Sequence, residues 1–391
     1  MLKYTFLLTL LLITGFQCKS TAEKTEQPLS ADIIVGAEQP ERYLDLLIGK
    51  KVALVVNQTS TVKNKHLVDF LLLEGVLVNK VFAPEHGIRG QADAGATINN
   101  EIDEKTGLPI ISLYGANKKP SKEALADVDI VIFDLQDVGA RFYTYISTLH
   151  YVMEACAESG KKLIVLDRPN PNGDYIDGPI LEKEFSSFVG MHPIPIVHGL
   201  TVGELAQMIN GEKWLANKLS CDLTVIPVKN YTHQTAYSLP IKPSPNLPND
   251  QAIRLYPSLC LFEGTDVSVG RGTDFPFQVY GFPDKAYGQF TFTPKAKTGA
   301  TQPPHKDKLC YGEDLRKAPI KGQFSLSYLL KAYEASGRSE KFFNAFFDKL
   351  AGTDELKAQI IAGLSEEEIR FSWSEPLAAY QSMRKKYLIY P

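Results

Sequence analysis

Apolar residues in this chain fall in short, nearly continuous runs, and each run ends in a cluster of polar residues. Lys51–Val56 (KVALVV) is followed by Asn57-Gln58-Thr59-Ser60, a pattern that fits a strand buried on both faces. Helical spacing of Leu67, Phe70, Leu71 and Leu73 predicts a helix over His66–Glu74, stopped by Gly75. Further strands are predicted at Val76–Ala83, Pro109–Tyr114, Val128–Leu135, Lys162–Leu166, Pro193–Gly199 and Cys221–Val228, with a helix over Phe142–Ser159 ended by Gly160. Thr201 and Glu204 have the spacing of a capping box. Strands alternating with helices predict a parallel α/β sheet.

In a parallel sheet all strand ends share one edge, and ligands of open α/β sheets sit there. Four runs end in Asn57-Gln58, Glu85-His86, Asp134/Asp137 and Asp167-Arg168, so the chemically able residues converge on that edge. The densest stretch is Val81–Gly90, VFAPEHGIRG. Pro84 holds Ala83 extended, and Gly87 and Gly90 loosen the backbone around Arg89. A carboxylate, an imidazole and a guanidinium just past a strand end point to a site, although a salt-bridged loop has the same composition. The first strand lacks a following G-x-G-x-x-G and no Walker loop occurs, so a dinucleotide or nucleotide is not inferred.

Texture changes past Tyr237–Pro257, which is rich in Pro and Asn and is taken as a domain boundary. Beyond it, Val267 and Val269 alternate with polar residues as in a half-exposed strand, and Gly270–Asp274 forms a polar turn. Phe275, Phe277 and Tyr280 suit a core or a sugar-stacking surface. Ser325–Ser336 and Lys341–Leu350 read as helices, and the apolar tail Tyr387–Pro391 as a docking segment.

Composition narrows the function classes. The 391 residues are 44% hydrophobic and 22% charged with net charge -3, a globular chain with no basic excess for nucleic acid. Its start is a positively charged Met1-Leu2-Lys3, an apolar Phe6–Phe16 too short to span a bilayer, and Cys18 opening a polar segment. That is the pattern of a bacterial lipoprotein signal, with Phe16-Gln17 in place of the usual small residues; ordinary secretion is the alternative. The expected organisation is a signal at 1–17, a tether at 18–38, a Rossmann-like catalytic domain at 39–238 and a smaller α+β domain at 239–391. The expected location is the cell envelope, periplasm-facing or on the outer membrane, with membrane contact only through the lipid. Export permits disulfides among Cys156, Cys221, Cys260 and Cys310; Cys260 and Cys310 could pair, and no cysteine spacing suits zinc.

Several segments together resemble the exo-β-N-acetylmuramidases of the NamZ type, once catalogued as a domain of unknown function. They are VVNQTS, FAPEHGIRG, FDLQDVGARFYTYISTLHYVMEA, LDRPNPNG, SSFVGMHPIPIVHGLTVGELAQMI, PSPNLP and LYPSLCLFEGTDVSVGRGTDFPFQV. The resemblance runs from about residue 40 to the C-terminus. It implies a Rossmann-like domain without dinucleotide function, a smaller C-terminal domain, and release of terminal N-acetylmuramic acid from the non-reducing end of peptidoglycan fragments. It also implies that Glu85, the PEHG glutamate, is catalytic.

Glycoside hydrolysis commonly uses two carboxyl groups. Glu85 is the expected general acid, needing a raised pKa that burial beside Phe82 and Ile88 would favour and charged His86 and Arg89 would oppose. Asp137, with Arg141 and Tyr143 close behind it, and Asp167 are candidates for the second; participation by the substrate's N-acetyl group would dispense with it. Muramic acid carries a lactyl carboxylate, for which Arg89, Arg141, Arg168 and Arg271 are candidate ligands. His86, Tyr143, Asn170 and His198 complete the candidate substrate contacts, with Asn172 able to read a hydroxyl or cap a turn. No cofactor is expected. Two other readings stand beside the glycosidase: a metal-dependent hydrolase using Glu85, His86, Asp137, Asp167 and His198, and a glycan-binding lipoprotein without catalysis.

Overall fold

The computed structural model describes residues 32–85, 87–88, 101–320 and 323–391. Its centre is a seven-stranded sheet in the order Asp222–Ile226, Lys162–Leu166, Ile130–Asp134, Lys51–Val56, Leu77–Ala83, Pro109–Ser112, Glu101–Ile102. All neighbours are parallel except the short Glu101–Ile102 edge, which runs antiparallel to Pro109–Ser112. Two of the sequence-derived strands, Lys51–Val56 and Lys162–Leu166, have the predicted bounds, and the others shorten by one or two residues at an end.

The strand alternation explains the continuous apolar runs. Val52, Leu54 and Val56 enter one core with Val81, Ile130, Ile132, Ile164, Tyr43, Leu47 and Leu71. Ala53 and Val55 point into the other core with Phe133, Val165 and the helices Tyr145–Ser159 and Val202–Gly211. Every residue of Val52–Val56 is buried, as a two-faced central strand requires. Each of the valines and Leu54 contributes roughly 1.5–3 kcal/mol on burial.

The second core is shared by the C-terminal part, so the sheet's helical face and the C-terminal elements are one packed body. That part contains an antiparallel sheet, Val279–Phe282 and Phe290–Phe292 flanking Cys310–Asp314, and helices including Ser327–Ala335, Phe347–Ala351 and Ser374–Arg384. The tail docks as expected: Tyr390 Oη donates to Asp167 at 2.6 Å and accepts from Val228 N at 2.8 Å.

Three expectations are corrected, and the Pro-rich boundary stretch proves to end in a helix, Asp250–Leu259, N-capped by the Asn249 side chain, with Pro257 inside it. Pro257 cannot donate to the carbonyl of Ile253, and Asn172 Nδ2 donates to that carbonyl instead at 3.1 Å. Val267 and Val269 are both buried and belong to no strand; only an isolated bridge from Ser268 to Gly281 forms. Pro195–Val197 pairs antiparallel with Asp177–Ile180, apart from the main sheet. Cys260 and Cys310 are separate buried thiols, as are Cys156 and Cys221.

Candidate active site

At the carboxyl edge of the sheet lies a cavity of about 530 Å³, large enough for a sugar ring, bounded by both parts of the chain. Glu85 is on its wall, delivered by the strand Leu77–Ala83 and Pro84. The turn closes with Gly87 N donating to Pro84 O at 3.0 Å. Thr144 Oγ1 donates to Glu85 Oε2 at 3.0 Å. Thr144 is the N-cap residue of the helix Tyr145–Ser159, where a threonine hydroxyl ordinarily turns back to cap the helix; here it does not, and serves Glu85.

Aromatic rings form the floor. Tyr143 packs edge-on against Tyr145 (4.9 Å) and Tyr256 (5.9 Å), and Tyr256 packs edge-on against Phe277 (5.0 Å). Tyr143 Oη is fixed by donating to Pro243 O at 2.8 Å, and burial pushes its ionisation well above the ordinary tyrosine range, so it acts there as a neutral hydroxyl. At the far end of the floor, Arg271 lies with its guanidinium 5.0 Å from the centre of the Phe277 ring, and its Nε donates to Glu263 Oε1 at 2.6 Å. The loop Gly299–Pro304 closes another side, anchored by Asn246 Nδ2 donating to Gly299 O at 2.8 Å.

The turn around Arg271 demands its glycines. Gly270 and Gly272 have φ of +77° and +80°. A Cβ on Gly272 would meet Lys295 O at 2.4 Å, and one on Gly270 would meet Val279 Cγ2 at 2.6 Å. The sequence Gly-Arg-Gly therefore lets an arginine sit on a backbone packed closely from both sides.

The other sequence candidates are placed elsewhere. Asp137 is buried behind the wall, its Oδ2 accepting from Gly139 N at 2.6 Å and lying 3.5 Å from His198 Nε2. His198 Nδ1 accepts from Leu200 N at 3.2 Å, so this pair serves the loop and not the cavity. Asp167 is 0% exposed and accepts from Arg168 N, Gly203 N, Thr201 Oγ1 and Tyr390 Oη at 2.6–3.0 Å. Burial raises its carboxyl to about 6. Arg141 is 0% exposed and all four of its Nη hydrogen bonds go to backbone carbonyls, of Pro179, Ile194, Leu350 and Ala351. Arg168 grips Asp134 with two hydrogen bonds (2.5 and 2.9 Å) and Thr61 O with a third. Asn170 Nδ2 donates to Leu200 O and its Oδ1 accepts from Asn172 N, both at 2.8 Å. Thus Glu85, Tyr143 and Arg271 come together, whereas Asp137, Asp167, Arg141, Arg168, Asn170 and His198 brace the loops around them. His86, Arg89 and Cys18 lie outside the described residues. Thr201 and Glu204 form the expected capping box.

Sequence reasoning missed Glu263, Thr144 and Tyr256. Glu263 had a signal, a carboxylate interrupting the apolar run Leu259–Phe262 just before a glycine, eight residues ahead of Arg271. Among the described residues no three His, Cys, Asp or Glu side chains gather in a metal-binding arrangement.

A Rossmann-like sheet with a carboxylate-bearing, aromatic-floored cavity at its carboxyl edge defines the class: an α/β protein that keeps the ligand position of the Rossmann fold and fills it with acid, arginine and rings. The chain belongs to the NamZ family. The family's N-terminal model, described as exo-beta-N-acetylmuramidase NamZ, matches residues 52–251, and its C-terminal model matches 254–390. The peptidoglycan beta-N-acetylmuramidase NamZ of Bacillus subtilis (strain 168) is 40% identical over 377 residues, 89% of each chain. Two crystal structures of DUF1343 family proteins from Bacteroides fragilis NCTC 9343 share the fold. One has TM-score 0.86 and 49% identity, the other 0.77 and 29%, and each alignment covers 92% of this chain and 99% of the other.

Proposed function

We infer that this chain is a glycosidase that releases terminal N-acetylmuramic acid from the non-reducing end of peptidoglycan fragments. The observation that carries the reading is Glu85, set by Thr144 on the wall of a cavity of sugar-ring size in a chain of this family. Both the family description and the relative's name describe a glycosidase, which favours that reading over the metal-dependent hydrolase and the binding-only alternative. In this reading Glu85 gives its proton to the glycosidic oxygen as the bond breaks, water supplies the new oxygen bond at the anomeric carbon and returns a proton to the enzyme, and the aromatic floor carries the apolar face of the sugar. We further propose that residues 1–17 direct export and that Cys18 carries a lipid, so that the enzyme meets its substrate in the cell envelope. No helix of the described residues is long and apolar enough to cross a membrane.

The test is a chromogenic assay with para-nitrophenyl β-N-acetylmuramide beside the β-N-acetylglucosaminide. The muramide should be cleaved in preference. On muropeptides, whose sugar leaving group must be protonated, Glu85→Gln should lower kcat by about 10²–10⁴-fold, the usual contribution of a general acid, with the melting temperature of the parent. Unchanged turnover in that variant would remove Glu85 from the mechanism. Sugar binding without turnover in the parent, on muropeptides as well as on the chromogen, would restore the binding-protein reading.

A further inference from the structure

We propose that Arg271, held in place by Glu263, reads the lactyl carboxylate of the substrate and thereby selects muramic acid over glucosamine. This rests on the glycosidase reading above and adds the residues that set its specificity.

A bound N-acetylmuramic acid differs from N-acetylglucosamine by one carboxylate on an ether arm, so discrimination calls for a cation with a fixed direction. Of the arginines whose sequence setting suggested this role, Arg141 and Arg168 are spent. The first has its Nη donors on four backbone carbonyls, and the second is bound to Asp134. Arg271 lies on the cavity wall opposite the aromatic floor's Tyr143 end. Its two side-chain contacts are Nε on Glu263 and the ring face of Phe277. Together they fix the position and plane of the guanidinium while using one of its five N–H donors. No acceptor among the described residues bonds Nη1 or Nη2, so that edge is available for a carboxylate with two parallel hydrogen bonds. Phe277 is itself held in an unusual conformation, φ +56°, by its N–H donating to Val269 O at 2.7 Å, so the ring beneath Arg271 is set by backbone as well as packing.

Glu263 is a positioning residue in this arrangement. Its chain position is set by Gly264, where a Cβ would meet Phe347 Cα at 2.4 Å. Its charge offsets that of Arg271 before substrate binds, so selectivity comes from the direction of the Nη edge more than from net attraction. An acid in the same cavity as Glu85 also invites a catalytic role, and the two roles make opposite demands on a glutamine.

The test uses para-nitrophenyl β-N-acetylmuramide and its lactyl methyl ester, together with calorimetric binding of N-acetylmuramic acid and its methyl ester. In the parent the free acid is preferred. Arg271→Ala should lower kcat/KM for the acid by about ten- to hundredfold, the worth of a charge-assisted pair of hydrogen bonds, and leave the ester within about threefold. The acid:ester ratio should collapse, mainly through KM. An unchanged ratio, or equal losses on both, overturns the proposal. Glu263→Gln keeps an oxygen that accepts from Nε and should retain most of the parent's preference, whereas Glu263→Ala should lose it. If Glu263→Gln stops turnover of both compounds, Glu263 is a catalytic carboxylate and its positioning role falls. Should Arg271→Ala fail to fold, Arg271→Lys, which keeps the charge without the fork, takes its place and must also narrow the ratio. If the parent cleaves neither compound, digestion of muropeptides decides the glycosidase reading, and the calorimetric ratio still decides the arginine: equal binding of acid and ester rejects it.

Discussion

Arg141 and Arg271 are the same residue in similar settings, each close behind a glycine with positive φ at the edge of the same cavity region, and they end in opposite states. Arg141 turns inward and donates to four carbonyls, two at Pro179 and Ile194 and two in the C-terminal helix Phe347–Ala351. Burial pulls its guanidinium down to about 9, a measure of how completely it has left water. Arg271 keeps one ion pair and one ring contact and turns its remaining donors to the cavity. The same contrast separates Asp167, with four donors around it, from Glu85 on the wall. Loops at a sheet edge must satisfy their own backbone before they can serve a substrate, and most of their polar residues are consumed in doing so.

The contrast is most exposed to test at Arg141. Replacing it with alanine removes a donor from four buried carbonyls, of which Ile194 O keeps Leu181 N at 3.2 Å, and at about 1–3 kcal/mol for each group left unsatisfied the loss of stability should reach about 4 kcal/mol or more. Urea unfolding measures it. A variant as stable as the parent, with an altered acid:ester preference, would return Arg141 to the substrate site. Arg168→Ala should cost somewhat less, about 3 kcal/mol, because it leaves the fully buried Asp134 carboxylate without its partner. What folded enzyme remains should have the parent's acid:ester ratio. Loss of that ratio would mean that Arg168 reaches the substrate.

Much of the fold was legible because a short apolar run that ends abruptly in polar residues fits a two-faced parallel strand and little else. Lys51–Val56 and Lys162–Leu166 could be bounded to the residue, and their common edge identified Glu85. Which carboxylate and which arginine at that edge meet the substrate was not legible, since Asp137, Asp167, Arg141 and Arg168 differ from the wall residues only in direction, and direction is set by tertiary partners. Asn172 shows the limit well. Its sequence setting, between prolines and a glycine, suits a turn or a sugar contact, whereas its amide replaces the donor missing at Pro257, by bonding a carbonyl 81 residues later in the next helix. The Glu263–Arg271 pair spans a loop with no repeat, so spacing alone did not bring the two together.

Asp167 provides the finest test of the inward-turned class. Its carboxyl is raised from 3.8 to about 6, burial outweighing the hydrogen bonds from Tyr390, Thr201 and Gly203. The folded protein therefore holds this proton more tightly than the unfolded chain does. Its contribution to stability is complete below pH about 4 and is lost as pH rises through about 6, a change of roughly 3 kcal/mol. Asp167→Asn cannot ionise and should lack this component. Unfolding free energies of the parent and the variant, measured from pH 4 to pH 7, should therefore differ by an amount that drifts in the variant's favour as pH rises. The drift concerns the loop and the docked tail, so kcat/KM need not follow it. A constant difference across that range would mean that Asp167 ionises as freely in the folded protein as in the unfolded chain. A pH-dependent loss of kcat in Asp167→Asn, with its stability curve parallel to the parent's, would instead place Asp167 among the groups that act on the substrate.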